Sequence, residues 1–114
     1  TLFLYQNDKT VIIGRHQNPW KECHIQEMRK DEINLCRRKS GGGCVYQDLG
    51  NTCFSFLTPV YDSRAPLSVK EDNNKILISA FQRLGIPAEV SGRNDLIVHG
   101  KKFSGSAYQV GLGK

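Results

Sequence analysis

The chain has 114 residues, 39% of them hydrophobic and 24% charged, enough for one domain with a core of its own and too apolar for a disordered chain. No run approaches the ~18 apolar residues of a membrane span. The net charge of +5, from 16 Lys and Arg against 11 Asp and Glu, favours anionic ligands, but no basic helix or aromatic-interleaved basic run marks nucleic acid as the partner.

The opening TLFLYQNDKT has neither the basic flank nor the cleavable apolar stretch of a signal peptide. It reads as a strand entered midway, as if cut from something longer. Strands are expected at Leu2–Tyr5 and Thr10–Ile13, with Gln6–Lys9 as a hairpin turn. A helix follows, capped by Asn18, with Pro19 at its first position and Trp20, Cys23 and Met28 on one face, ending near Glu32. Next come a strand at Asn34–Arg38, the loop Lys39–Gly43, and strands at Cys44–Gln47 and Thr52–Leu57. Tyr61–Pro66 reads as a polar loop. Ser68–Leu84 has the pattern of a long helix: Ser68 and Glu71 form a capping box, Val69, Ile76, Leu77, Ala80, Phe81 and Leu84 make an apolar stripe, and Gly85 and Pro87 end it. Strands return at Ala88–Ser91, Asp95–Val98 and Lys102–Tyr108, with His99–Lys101 as a turn and Gly111–Lys114 as a loose tail. Two strands, a helix, three strands, a helix and three strands predict an α+β fold with a mixed, largely antiparallel sheet and flanking helices.

The cysteines at 23, 36, 44 and 53 match no CxxC pattern and are too sparse for a disulfide framework. They read as reduced thiols, with Cys23 and Cys53 in the core. His16, His24 and His99 are scattered and do not resemble a metal site.

Three stretches carry chemistry. In Arg37-Arg38-Lys39-Ser40-Gly41-Gly42-Gly43-Cys44-Val45-Tyr46, three glycines permit close backbone approach and amides that converge on an anion, while three cations stand ready to neutralise phosphate or carboxylate. The spacing is neither that of a P-loop nor that of a dinucleotide fingerprint. In Ser91-Gly92-Arg93-Asn94-Asp95-Leu96, Asn94 and Asp95 are turn formers that can also hold a polar ligand or a magnesium ion beside its phosphate. In Lys101-Lys102-Phe103-Ser104-Gly105-Ser106-Ala107-Tyr108, a lysine precedes small residues, and Gly105 within a strand marks a close approach.

Together these stretches resemble the lipoate–protein ligase family, in the biotin/lipoate ligase catalytic fold. Arg37–Asn51 resembles the family's R-R-x-S-G-G-G-x-V-[YF]-H-D-x-G-N block, Gly92–Leu96 its G-R-N-D-L, and Lys102–Ala107 its K-x-S-G-[ST]-A. Ile13–Trp20 with Glu22 and Cys23 resembles its G-R-x-Q-N-P-W-x-E-C. The resemblance covers almost the whole chain. It implies an enzyme that uses ATP and magnesium to convert lipoic acid into lipoyl-AMP and then transfers the lipoyl group to a lysine. It implies nucleotide or lipoyl-adenylate contacts from Arg38, Ser40, Gly41, Gly42, Gly43, Cys44, Val45, Tyr46, Asn94, Asp95, Lys102, Ser104, Gly105 and Ala107. Among them Lys102 is the catalytic cation and Asp95 the candidate magnesium ligand. Tyr46, Phe54, Phe56 or Val45 would line an apolar slot for the lipoyl tail.

Acceptors would be lipoyl domains of 2-oxoacid dehydrogenase complexes or the glycine cleavage H protein, met transiently, with neither nucleic acid nor membrane as partner. The compartment would be the cytoplasm in a bacterium, and the mitochondrial matrix or another organelle in a eukaryote. Gln47 departs from the family, which usually has His before the Asp: glutamine keeps a hydrogen bond but does not titrate near neutrality. The alternatives are a lipoyl or octanoyl transferase using a preactivated acyl group, with Cys44 as a candidate nucleophile, and a non-catalytic ligand-binding fragment. The resemblance also implies that residues 1–114 are a catalytic core truncated at both ends, with an exposed sheet edge prone to association.

Overall fold

The computed structural model describes residues 1–61 and 66–111. In chain order the elements are β1 (Leu2–Tyr5), β2 (Thr10–Ile13), α1 (Pro19–Glu22), α2 (Ile25–Lys30), β3 (Asn34–Arg37), β4 (Val45–Gln47), β5 (Cys53–Phe56), α3 (Pro66–Arg83), β6 (Ala88–Ser91), β7 (Asp95–Val98) and β8 (Lys101–Gly105). They fall into two units: one comprises Leu2–Ser55 with the segment beginning at Ala107, the other Thr1 with Phe56–Ser106. The expected α+β class holds. The β2–β3 pair is parallel, and β2–β4, β6–β7 and β7–β8 are antiparallel. Among the described residues no helix is long and apolar enough to cross a membrane.

The first unit is built on the sheet β3-β2-β4, with β1 and β5 as a separate two-stranded ribbon. The central strand, β2, is the most buried. Ile13 is only 2% exposed, Thr10 is buried with its hydroxyl donating to the Asp8 carbonyl at 2.8 Å, and Gly14 and Cys53 are buried as well.

Two expectations fail here. β1 and β2 are not a hairpin, because β1 pairs with β5 and β2 with β3 and β4. The polar residues between them bond elsewhere: Gln6 Nε2 donates to the Leu49 carbonyl at 3.1 Å, and Asn7 Nδ2 to Gln47 Oε1 at 2.7 Å. These bonds tie the connection to the end of β4 and the turn after it. The single helix expected to run to Glu32 is two short ones. Asn18 does cap the first, accepting from the Trp20 N–H at 3.0 Å, and Pro19 opens it. Cys23 then takes an extended backbone, and α2 starts without a side-chain cap at His24. Cys and His are both indifferent helix formers. Trp20 ends 78% exposed, and Cys23 is half-buried, whereas Cys53 does join the core.

In the second unit, α3 packs against β6 of the sheet β6-β7-β8, and Val69, Ala88 and Leu96 form the buried centre. The helix begins at Pro66, so Ser68 lies inside its first turn and the expected capping box with Glu71 is not its start. Proline suits that position because its missing N–H is an orphan there anyway. The helix closes as expected at Gly85, with φ +76°. The Gly85 N–H donates to Gln82 O and the Ile86 N–H to Phe81 O, the bond pair of a Schellman motif. The apolar stripe is only partly covered: Val69 is buried and Phe81 meets Phe103 edge to face at 5.1 Å, but Ile76 and Leu84 are exposed.

β6 to β8 form a meander. β7 and β8 are joined by His99 and Gly100, both with positive φ, as the tightest hairpin turns require. Lys101 is already strand, and β8 ends at Gly105 rather than Tyr108. Of the loop expected at Tyr61–Pro66 and the tail at Gly111–Lys114, residues 62–65 and 112–114 lie outside the described residues.

Candidate active site

The predicted site residues form two clusters, one in each unit. The first gathers at the C-terminal ends of β2 and β3. Because these strands are parallel, with Ile13 opposite Arg37, the chain leaving β2 at Gly14 and Arg15 runs beside Arg38 and Lys39. Arg15, Arg37, Arg38, Lys39 and Gln109 line an open cavity of about 440 Å³.

Its cations do different work. Arg37 Nη1 donates to the carbonyls of Gly14, Arg15 and Gln17 at 3.2, 3.0 and 2.7 Å. Arg38 donates from Nη2 to Gly41 O at 2.8 Å and from Nη1 to Ile12 O at 3.4 Å, while its Nε is buried without a partner. These two guanidiniums brace the loops around the cavity. Among the described residues, Arg15 and Lys39 have no side-chain partner within the protein, so their charges remain available to a ligand.

The glycine loop is tied at Ser40 and Gly41. The Arg15 N–H donates to Ser40 O at 3.0 Å. Gly42 has φ +103°, and a Cβ on it would stand 2.8 Å from Arg38 Nη2; a Cβ on Gly14 would collide with the Gly42 carbonyl. Both glycines are there because two backbones and a guanidinium meet at this point. Cβ atoms at Gly41 and Gly43 would meet nothing within 4 Å, so the loop is open on that side.

Cys44, Val45 and Tyr46 leave this loop exposed. Partial desolvation of the Cys44 sulfur pushes its thiol above the usual range, and the adjacent Cys23 thiol, which hydrogen-bonds to it, pushes it further. A thiol shifted that way is poorly prepared to act as a nucleophile at neutral pH. Gln47, in the family's usual histidine position, accepts from Asn7 Nδ2 and so braces the β1–β2 connection.

The second cluster surrounds the β7–β8 hairpin. Asp95 lies opposite Gly105 and Leu96 opposite Ser104, but Ile97 lies opposite Lys102, so Phe103 is the extra residue of a bulge. The two-residue turn sets Val98 opposite Lys101 and Ile97 opposite Lys102, so Lys102 lies on the same side of the sheet as Asp95, two residues from Ile97. Lys102 Nζ reaches Asp95 Oδ1 at 3.0 Å, and the bulge brings Gly105, rather than Ser104, opposite Asp95. Phe103 meanwhile meets Phe81 of α3.

The close approach expected at Gly105 is that of Lys102 itself. A Cβ there would sit 3.3 Å from Lys102 Cε and Nζ and 3.6 Å from Asp95 Oδ1. Both partners are substantially exposed, 59% and 39%, so the pair is worth at most about 1 kcal/mol. A ligand can therefore draw Lys102 away at small cost.

Asn94 is held from two sides. Lys70, on α3, donates to Asn94 Oδ1 at 2.8 Å and to the Arg93 carbonyl. Ser106 donates to Asn94 O from its N–H at 2.7 Å and from Oγ at 3.3 Å. Ala107 opens the segment that belongs to the first unit.

Arg15, Gln109, Lys70 and Ser106 were not singled out as site residues from sequence. Arg15 is recoverable once β2 and β3 are paired in parallel, and Ser106 lies inside the motif already quoted. Lys70 looks like any solvated helix lysine, and no local signal marks it.

The model of the lipoyl protein ligase A/B catalytic domain family matches residues 1–114. Lipoate-protein ligase A of Psychrobacter cryohalolentis is 53% identical over 111 residues, which are 96% of this chain and 31% of that protein. P. falciparum LipL1, solved in complex with lipoate, superposes with a TM-score of 0.81 at 38% identity over 97% of this chain and 32% of its own. A bipartite lipoate protein ligase from Thermoplasma acidophilum, described with its E2 lipoyl domain, has a TM-score of 0.83 at 32% identity over 93% of this chain and 42% of its own. A lipoate-protein ligase A bound with ATP has a TM-score of 0.81 at 32% identity over 93% of this chain and 47% of its own. The chain thus spans about a third of the length of the curated relative it matches.

Proposed function

We propose that this chain, which belongs to the lipoyl protein ligase A/B catalytic domain family, carries the activation site of a lipoate–protein ligase. Lipoate and ATP would be joined as lipoyl-AMP, and the lipoyl group passed to a lysine of an acceptor lipoyl domain. The observation that carries this reading is Lys102, set on the side of Asp95 by the tight β7–β8 turn and given room by Gly105, which a bulge brings opposite Asp95. Relatives solved with lipoate and with ATP, and one described with its E2 lipoyl domain, support the substrates and the class of partner.

In the first step a carboxylate oxygen of lipoate attacks the α-phosphorus and the bond to pyrophosphate breaks. Two anions meet, and negative charge grows on the phosphoryl oxygens. Lys102, leaving its weak pair with Asp95, would neutralise that charge and hold the acyl oxygen in line. Arg15 and Lys39 would take the phosphate groups, while Arg37 and Arg38 keep the loops in place. In the second step the acceptor amine attacks the acyl carbon and AMP leaves, so the protein needs no nucleophile of its own.

Magnesium fits Asp95 in one way. Among the described residues no three His, Cys, Asp or Glu gather as a metal cage, so the ion would be held by one carboxylate and the nucleotide's phosphates, a common magnesium arrangement. When bound it would screen phosphate charge.

The test is lipoate-dependent ATP–pyrophosphate exchange by the full-length protein. Exchange is expected in the wild type and a fall of about 10²–10³ in Lys102→Ala, the scale of one lost transition-state donor. Full exchange in Lys102→Ala would remove Lys102 from the chemistry, and a wild type without exchange would remove the ligase reading.

A further inference from the structure

We infer that Lys70 is a positioning residue that fixes the side-chain amide of Asn94 so that it presents donors to an oxyanion. The inference deepens the reading above, in which Asn94 lies beside the adenylate.

An asparagine amide has one end that accepts and one that donates, and the two differ little in shape. Which end faces a ligand is settled by its neighbours. Lysine is a donor only. With Lys70 Nζ 2.8 Å from Asn94, the partner atom must be Oδ1, and the Nδ2 end is turned to the opposite side. The same ammonium donates to the Arg93 carbonyl, so it holds backbone and side chain together. Ser106 completes the fixation by donating twice to the Asn94 carbonyl. The loop Gly92–Asn94 between β6 and β7 is otherwise exposed, and a free asparagine there would present either end to solvent.

The geometry has a chemical consequence. An adenylate and an acyl carboxylate offer acceptors only in the region where charge develops. A donor fixed in advance needs no reorientation when the ligand arrives, whereas a freely turning amide would face it half the time with a repulsive oxygen. Lys70 thus contributes to nucleotide affinity without touching the nucleotide.

The experiment uses the full-length protein with Lys70→Met, Lys70→Arg, Asn94→Ala and the double variant Lys70→Met/Asn94→Ala. Two readouts are taken: amide hydrogen exchange of Gly92–Asp95 without substrates, and KM for ATP and for lipoate in pyrophosphate exchange. In Lys70→Met the loop amides are expected to exchange about tenfold faster and KM for ATP to rise about tenfold, the scale of one charge-assisted hydrogen bond. KM for lipoate should move far less. Lys70→Arg should recover most of the loss, and the double variant should be no worse than Asn94→Ala. Unchanged exchange of the loop amides would overturn the inference, as would a Lys70→Met penalty that is undiminished in the Asn94→Ala background. The loop-order readout needs no turnover, so it judges Lys70 even if the wild type shows no pyrophosphate exchange and the ligase reading falls.

Discussion

In the first unit, Arg37 and Arg38 are bonded to backbone carbonyls that frame a cavity, and the charges left open belong to Arg15 and Lys39 beside them. In the second, Lys102 has no such anchorage among the described residues. It leans on the exposed carboxylate of Asp95, in a place made by a tight turn and by a glycine that a bulge brings opposite that carboxylate. The contrast suits two kinds of work. A site that receives phosphates gains from walls that do not move. A cation that follows charge through a reaction gains from a partner it can leave.

The comparison breaks first at Gly105. A methyl group there would press on Lys102 Cε and Nζ, so Gly105→Ala should lower kcat for pyrophosphate exchange by about tenfold, roughly 1.4 kcal/mol of transition-state stabilisation, with the melting temperature nearly unchanged. A loss confined to stability would show that the glycine serves the strand and not the lysine.

Next comes Arg37→Ala, which removes a donor from three carbonyls, of which Gly14 keeps the Gln17 N–H. It should cost about 1–2 kcal/mol of stability, measured by chemical denaturation of the wild type and the variant. Arg15→Ala should leave stability within about 0.5 kcal/mol, as expected of a surface change. Equal losses from both would erase the distinction between framing and ligand-facing cations.

Gly42→Ala sharpens the same point. It forces a side chain into the left-handed region beside Arg38, at a cost of about 1–2 kcal/mol from the backbone alone. The smallest effect concerns Cys44. Because its thiol is shifted upward, its thiolate fraction at pH 7 is reduced. Alkylation there should be slower than in the unfolded chain, and should gain rate as pH rises past the ordinary thiol range. Faster labelling in the folded protein would revive Cys44 as a nucleophile.

Much of this was legible in the sequence, because short apolar and β-branched runs between polar turns announce themselves as strands. The extents of β1, β2, β6 and β7 follow from that pattern alone. Pairing did not follow. Gln6–Lys9 has hairpin composition, yet its side chains bond to Gln47 and Leu49, far along the chain. The break at Cys23–His24 rests on a marginal preference that no strong stop signal marks. At the candidate site, the motif residues were legible as residues, but their arrangement was not. That Gly105, rather than Ser104, stands opposite Asp95 and leaves room for Lys102 depends on a bulge at Phe103, where period-two alternation from the turn would have put Ser104. That Arg15 joins Arg38 and Lys39 depends on a parallel pairing across more than twenty residues.

The most direct measurement of the division of labour compares Lys102→Ala with Arg15→Ala in the full-length protein, reading kcat and KM for ATP in lipoate-dependent pyrophosphate exchange. Lys102→Ala is expected to lower kcat by about 10²–10³ while KM changes little, and Arg15→Ala to raise KM about tenfold, the scale of one charge-assisted contact, with a smaller effect on kcat. The reverse pattern, or the same pattern in both variants, would contradict that division.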